Sequence, residues 1–155
     1  MKTQTILATL AAAGSAFAAA IDARQTARYP ISNFKASCTP RTNICSFSFD
    51  MVTGMDQSTT CKGNSEKGMG NFGPLANTGC EDPKFAFSVE RTPPTETAAD
   101  DAPVLLLKIN VDANPKSAGT HAISKSEITK EQHGAVFAEK YTGPTSFDVQ
   151  VLPVV

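Results

Sequence analysis

Four cysteines, Cys38, Cys45, Cys61 and Cys80, constrain the fold of this chain more than any other feature. Their meaning depends on what precedes them. Residues 1 to 18 carry one charge, Lys2, then an apolar run from Ile6 to Ala13 and small residues, Ala16 and Ala18, around Phe17. This is the layout of a secretory signal peptide, with the mature N-terminus expected at or near Ala19. The run is too short to span a bilayer, and no later stretch approaches the roughly 18 consecutive apolar residues a span requires. A secreted, extracellular chain without membrane insertion is expected. An even number of cysteines on an oxidising export route reads as disulfides.

Four cysteines allow three pairings, and strand patterning favours one. Phe34, Ala36 and Cys38 alternate with polar residues, as do Cys45, Phe47 and Phe49 with Ser46 and Ser48. Two half-buried strands therefore flank a short connection, and pairing them as a hairpin sets Cys38 opposite Cys45 on the apolar face. Cys61 is left for Cys80. Closed loops of about 8 and about 20 residues contribute roughly 2.5 and 3.3 kcal/mol in the chain-entropy model. A zinc site is not expected, because there is no C-x-x-C pair and oxidation removes the thiolates. No cysteine is left over as a catalytic thiol.

Alternation recurs along the chain. Phe85, Phe87 and Val89 mark one strand, Leu105 to Val111 a second, His121 to Ile123 a short third, and Phe147, Val149 and Val151 a terminal one. Residues 19 to 28 show no periodicity and read as a flexible leader into a single β domain over 29–155. Met51 to Gly54 ends a strand. Lys62 to Gly79, rich in glycine, reads as a long loop clasped by Cys61 and Cys80, and Thr92 to Pro103 as an exposed acidic and prolyl loop. Ser124 and Glu127 match a capping box, but Ile128 is the sole apolar residue before Gly134, so one short helical turn is expected. The fold class is all-β, an antiparallel sandwich or barrel with two disulfides.

Composition narrows the function. The 155 residues hold 14 Lys plus Arg against 15 Asp plus Glu, so there is no basic surface for nucleic acid. Trp is absent and only Tyr29 and Tyr141 accompany the phenylalanines, a poor supply for stacking platforms. His121 and His133, with Glu127 and Glu131 between them, are the residues from which an acid–base pair would be built. His121 falls in a strand and His133 before Gly134 at a helix end, where an imidazole is a favourable dipole partner rather than a base. No nucleophile or metalloprotease motif occurs. No catalytic residue, metal or cofactor is assigned. The segment Thr39 to Ile44, closed by the first disulfide, displays Arg41 as small protease inhibitors display a basic residue, but Pro40 departs from the Bowman-Birk pattern. The plainer reading is a hairpin tip with a solvated Arg41.

Taken in order, several segments carry a family likeness: Ile31-Ser32-Asn33-Phe34-x-Ala36-Ser37-Cys38-x-Pro40, Cys45-x-Phe47-x-Phe49, Thr60-Cys61 and Cys80-x-Asp82-Pro83-x-Phe85-x-Phe87. His121-x-Ile123 and Tyr141-Thr142-Gly143-Pro144-Thr145-x-Phe147 continue it. The chain resembles the fungal hypersensitive-response-inducing elicitors, small secreted proteins similar to the Alternaria major allergen. The resemblance implies a compact β domain with two disulfides, release into the plant apoplast, and recognition by an apoplastic or cell-surface plant protein that triggers defence or cell death without catalysis. The allergen distributes its cysteines differently, so no pocket or dimer bridge transfers. The site residues are the four cysteines alone, with binding residues unassigned. A small-ligand or cell-wall binding β-barrel is the alternative, and protease inhibition through the Cys38 to Cys45 loop a lesser one.

Overall fold

A computed structural model describes residues 26–66, 69–92, 99–112 and 117–153. The expected signal peptide and residues 19–25 of the expected leader lie outside them. The strands are β1 (Ala27–Cys38), β2 (Cys45–Gly54), β3 (Gln57–Ser65), β4 (Leu75–Gly79) and β5 (Phe85–Arg91), followed by β6 (Pro103–Val111), β7 (Ser117–Ser124), β8 (Ile128–His133), β9 (Val136–Tyr141) and β10 (Phe147–Pro153). All belong to one antiparallel sheet in the order β3-β2-β1-β10-β7-β6-β5-β4, with the β8–β9 hairpin attached to β1 through Ser37 and Lys140. The sheet curls until β4 returns to β3, making a nearly closed barrel. Closure is how an antiparallel sheet removes its vulnerable edges.

Alternation determines which side chains fill it. Phe34, Phe47, Phe49 and Met51 point inward from β1 and β2, Phe87 and Val89 from β5, Leu105, Leu107 and Ile109 from β6, and Val149 and Val151 from β10. The rings of Phe49 and Phe87 meet edge to face at 5.1 Å, and Phe34 meets Tyr141 in the same way at 4.9 Å. Such contacts add roughly 0.5 to 1.5 kcal/mol beyond area burial. The interior is a packed core.

β1 is the longest of the described strands and pairs with β10, β2 and, at Ser37, β9. Ala27 to Ile31 pair with β10, after which the register shifts between Ser32 and Lys35 and the strand bends. Asn33 takes φ 54° at the bend, a left-handed conformation its short amide side chain tolerates. That amide donates to Asp50 Oδ2 at 2.8 Å and Thr60 Oγ1 donates to Asp50 Oδ1 at 2.8 Å, tying β1, β2 and β3 together on the outer face. Both bonds, Asn33's first, favour the carboxylate and lower the Asp50 pKa.

Both disulfides form as the patterning indicates, Cys38 with Cys45 and Cys61 with Cys80. The first bridges residues directly opposed in the β1–β2 register. The second crosses from β3 to the residue following β4, at the point where the barrel closes. Beside it Glu81 N donates to Thr60 O at 2.9 Å and Asp82 N to Thr59 Oγ1 at 2.8 Å.

Several sequence expectations need correction. Lys62 to Gly79 is not one loop: β3 continues through Ser65 and β4 occupies Leu75–Gly79. Gly63 marks a close approach rather than a turn, since a Cβ there would lie 2.8 Å from Leu75 Cδ2 and 3.0 Å from Phe87 Cζ. The leader ends earlier than residue 28, because Ala27 and Arg28 pair with Val151 and Gln150. His133 does not end a helix. It closes β8, and Gly134 at φ 71° turns the chain into β9. The helical element is a single 3-10 turn, Lys125–Glu127, where Ser124 N and Oγ both donate to Glu127 Oε2. Of the expected loop from Thr92 to Pro103, residues 93–98 lie outside the described residues, and Pro103 already belongs to β6.

Filling the space at Gly63 should open the closure. Gly63→Val is expected to destabilise the domain by about 2 to 3 kcal/mol through overpacking against Leu75 and Phe87. Urea denaturation with both disulfides intact measures this, and an unchanged midpoint would contradict the close approach.

Candidate functional site

Strand topology concentrates polar chemistry where the β8–β9 hairpin leaves the barrel. Glu139 on β9 is buried, with its side chain 4% exposed, and faces Arg91 at the end of β5. The pairing is forked: Arg91 Nη1 donates to Glu139 Oε2 at 2.7 Å and Nη2 to Oε1 at 3.1 Å. Forked guanidinium–carboxylate pairs combine strength with fixed geometry. The pair also holds a loop. Phe72 N donates to Glu139 Oε2 at 2.7 Å, Arg91 Nη1 to Phe72 O at 2.8 Å, and Glu139 N to Gly70 O at 2.7 Å. Residues 70 to 72 are thereby fastened to β5 and β9.

That anchored loop forms part of a surface at one end of the barrel. Met69 is 80% exposed and Phe137 54% exposed, and with Val136 they line a shallow cleft of about 130 Å³ against Arg41, Thr42 and Asn43. Arg41 at φ 64° and Met69 at φ 42° are both left-handed non-glycine residues. Each such residue costs of order 1 to 2 kcal/mol and persists where its surroundings fix it. Arg41 is fixed by the Cys38–Cys45 bridge and by the Thr39 N to Ile44 O bond at 2.9 Å, Met69 by its neighbours' bonds to Glu139. Arg41 and Met69, both left-handed, thus meet the exposed Phe137 on one face. Arg41's left-handed turn is not the extended segment a trypsin-like protease reads, so the geometry gives no support to inhibition through this loop.

The histidines fall in different settings. His121 on β7 stacks on Phe147, ring centroids 3.7 Å apart and planes 8° from parallel. Burial lowers its pKa, and the nearby Glu127 charge opposes that in part. No hydrogen bond joins His121 to Glu127 among the described residues. Glu127 instead accepts from Ser124, and its backbone carbonyl accepts from Thr142 N at 2.8 Å. Tyr141 completes this corner by donating to Pro144 O at 2.9 Å, with Glu127 Oε1 at 3.4 Å. Burial first and Glu127 second push the Tyr141 phenol up to about 12. These polar groups hold the turn between β7 and β8. His133 stands exposed on the hairpin, its Nε2 3.7 Å from Glu131 Oε2, while Lys140 Nζ takes Glu131 Oε1 at 3.0 Å. The two His–Glu pairs of the sequence therefore do not converge.

The Cys38–Cys45 bridge braces this face without lining its cleft. Arg91, Glu139, Met69 and Phe137 carry no local sequence signal, because they are separated along the chain and meet only through the topology. No group of three or more His, Cys, Asp or Glu side chains suited to a metal occurs among the described residues. No helix among them is long and apolar enough to cross a membrane.

Two measurements probe this arrangement. Glu139→Ala strands the Arg91 guanidinium and the Phe72 N–H, and should cost about 2 to 4 kcal/mol, whereas replacing both partners in Arg91→Met, Glu139→Leu should cost less. Equal losses in denaturation experiments would mean the pair is not coupled. His121, with a folded pKa below its ordinary 6.5, binds fewer protons folded than unfolded, so stability is complete above 6.5 and is lost as pH falls through the window beneath it. His121→Gln should flatten that part of the stability profile. A slope that persists unaltered would assign the dependence to other groups.

Comparison of the chain with protein-family models, curated proteins and solved structures finds no match.

Proposed function

We propose that the chain is a secreted fungal elicitor or effector that acts without catalysis, through its folded surface, on an apoplastic or cell-surface plant partner. The observation that carries the reading is the rigid face of Arg41, Met69 and Phe137, with Ile44 43% exposed beside it. Exposed apolar groups ringed by polar ones are a usual mark of a protein contact surface. Preorganisation supports recognition further, because a surface already held by a disulfide and a partly buried ion pair loses little entropy on binding. The resemblance in strand order, cysteines and the Tyr141-Thr142-Gly143-Pro144 turn supports a plant host as the place of action. Two disulfides favour an oxidising route of export.

The smaller alternative, binding of a small ligand, has one observation in its favour: a cavity outside the barrel, beside the Arg91–Glu139 pair. A ligand within the barrel is not favoured, since Phe34, Phe49, Phe87 and Leu107 occupy that space.

Infiltration of purified protein into leaves tests the leading reading. Native protein should cause local cell death, and Met69→Ser, Phe137→Ser should raise the required dose at least about tenfold while leaving the fold intact, because anchors at the centre of an interface dominate its energy. Reduced and alkylated protein should be inactive. The His121→Ala, His133→Ala variant should act as the native protein does. Undiminished cell death from alkylated protein would place the activity in a linear segment and overturn the proposal.

A further inference from the structure

Where the β8–β9 hairpin peels away from the barrel it leaves a cavity of about 300 Å³. Its apolar surface includes Val104 at the start of β6 and Ile128 at the start of β8, and its polar end is the Arg91–Glu139 pair. Lys125 and Lys130 stand at its rim, with Asp100 opposite Lys125. The volume lies at the lower end of the range for small-molecule sites, and an apolar lining with a few convergent polar groups is their usual make-up.

Charge selects among ligands. Among the described residues that line it, three cations, Arg91, Lys125 and Lys130, face two carboxylates, Asp100 and Glu139, an excess of one positive charge. The carboxylates are unequally engaged. Glu139 is taken by the forked bonds from Arg91, so Lys130 Nζ remains 3.9 Å from its Oε1, beyond hydrogen-bond reach. Lys125 Nζ lies 3.4 Å from Asp100 Oδ1, an exposed and weak pairing. Lys130 thus presents an ammonium whose hydrogen-bond donors the described residues do not use, beside apolar side chains that Val104 and Ile128 supply. A single carboxylate would neutralise the excess charge, and an apolar body attached to it would cover those side chains.

We propose that this cavity binds a small organic monocarboxylate, with the carboxylate on Lys130 and Lys125 and the apolar body against Val104 and Ile128. The site is separate from the Arg41–Met69–Phe137 face and stands or falls independently of the elicitor reading. Specificity comes from the combination: an inorganic anion gains nothing from the apolar wall, and an uncharged or cationic isostere leaves the lysines uncompensated or repelled.

Phenylacetate is a suitable probe, with 2-phenylethanol, phenethylammonium and sulfate as its comparisons. Titration of the isotope-labelled full mature chain, followed by amide chemical shifts, should show saturable shifts at Val104, Ile128 and Lys130 with phenylacetate, in the millimolar range appropriate to so small a ligand. The alcohol, the amine and sulfate should each bind at least about fivefold more weakly. Lys130→Gln should weaken phenylacetate by about five- to tenfold, and Lys125→Gln, Lys130→Gln should abolish saturation, with the melting temperature unchanged in both. Any of three results overturns the proposal: no saturable shift with phenylacetate, equal binding of the alcohol or of sulfate, or unaltered affinity in a correctly folded double variant.

Discussion

The junction of β3 and β4 is the interaction on which the rest of this structure depends. A curled antiparallel sheet that stops short of closure exposes two edges, each a row of unpaired backbone groups. Here the last interval is spanned by the Cys61–Cys80 disulfide, the Glu81 N to Thr60 O bond and the bond from Asp82 N to Thr59 Oγ1. The close approach at Gly63 lets Leu75 and Phe87 pack onto β3. The covalent link limits how far β3 and the end of β4 can part, and the backbone bonds and packing stabilise the closed form. Covalent chemistry and sheet geometry thus act at one place.

A second fixed point extends order from the barrel to its surface. The Arg91–Glu139 pair sets a buried Glu139 against a partly exposed Arg91, and removing ions from water carries a cost that good geometry must offset. Its geometry does more than offset that cost. By accepting from Phe72 N and donating to Phe72 O, it fastens a loop otherwise short of regular pairing. Met69 is held on one side of this anchor, and the cavity with Lys125 and Lys130 opens on the other. The proposed contact face and the proposed ligand cavity therefore share one support, so changes at Arg91 or Glu139 would disturb both, whereas changes at Phe137 or Lys130 separate them.

How much of this the sequence reveals follows from how each element is buried. β1, β2, β5, β6 and β10 each bury one face, and their alternation of Phe, Leu, Ile and Val shows it directly. The pairing of Cys38 with Cys45 is legible for the same reason, because the alternation fixes their register. β8 is exposed along nearly its whole length, so Thr129 to His133 carry no periodic pattern, and its existence depends on pairing with β9. Gly63 in β3 imitates a loop residue because the barrel brings Leu75 and Phe87 close to the backbone there, whereas Gly79 at the end of β4 has open space around it. The candidate sites are least accessible to sequence reasoning. Arg41 and Met69 come from two connections and Phe137 from β9, all distant in the chain, and Arg91 meets Glu139 only after the sheet has curled.

Amide hydrogen exchange of the Cys61→Ala, Cys80→Ala variant, compared with the native protein under conditions where both remain mostly folded, tests the central role of the junction most directly. Opening there should deprotect β3 and β4 together, while β1, β6, β7 and β10 keep their relative protection, since local opening involves contiguous cooperative units. Uniform loss of protection across all strands would contradict the account, because it would mean that the disulfide acts on global stability alone and does not hold a distinct closure.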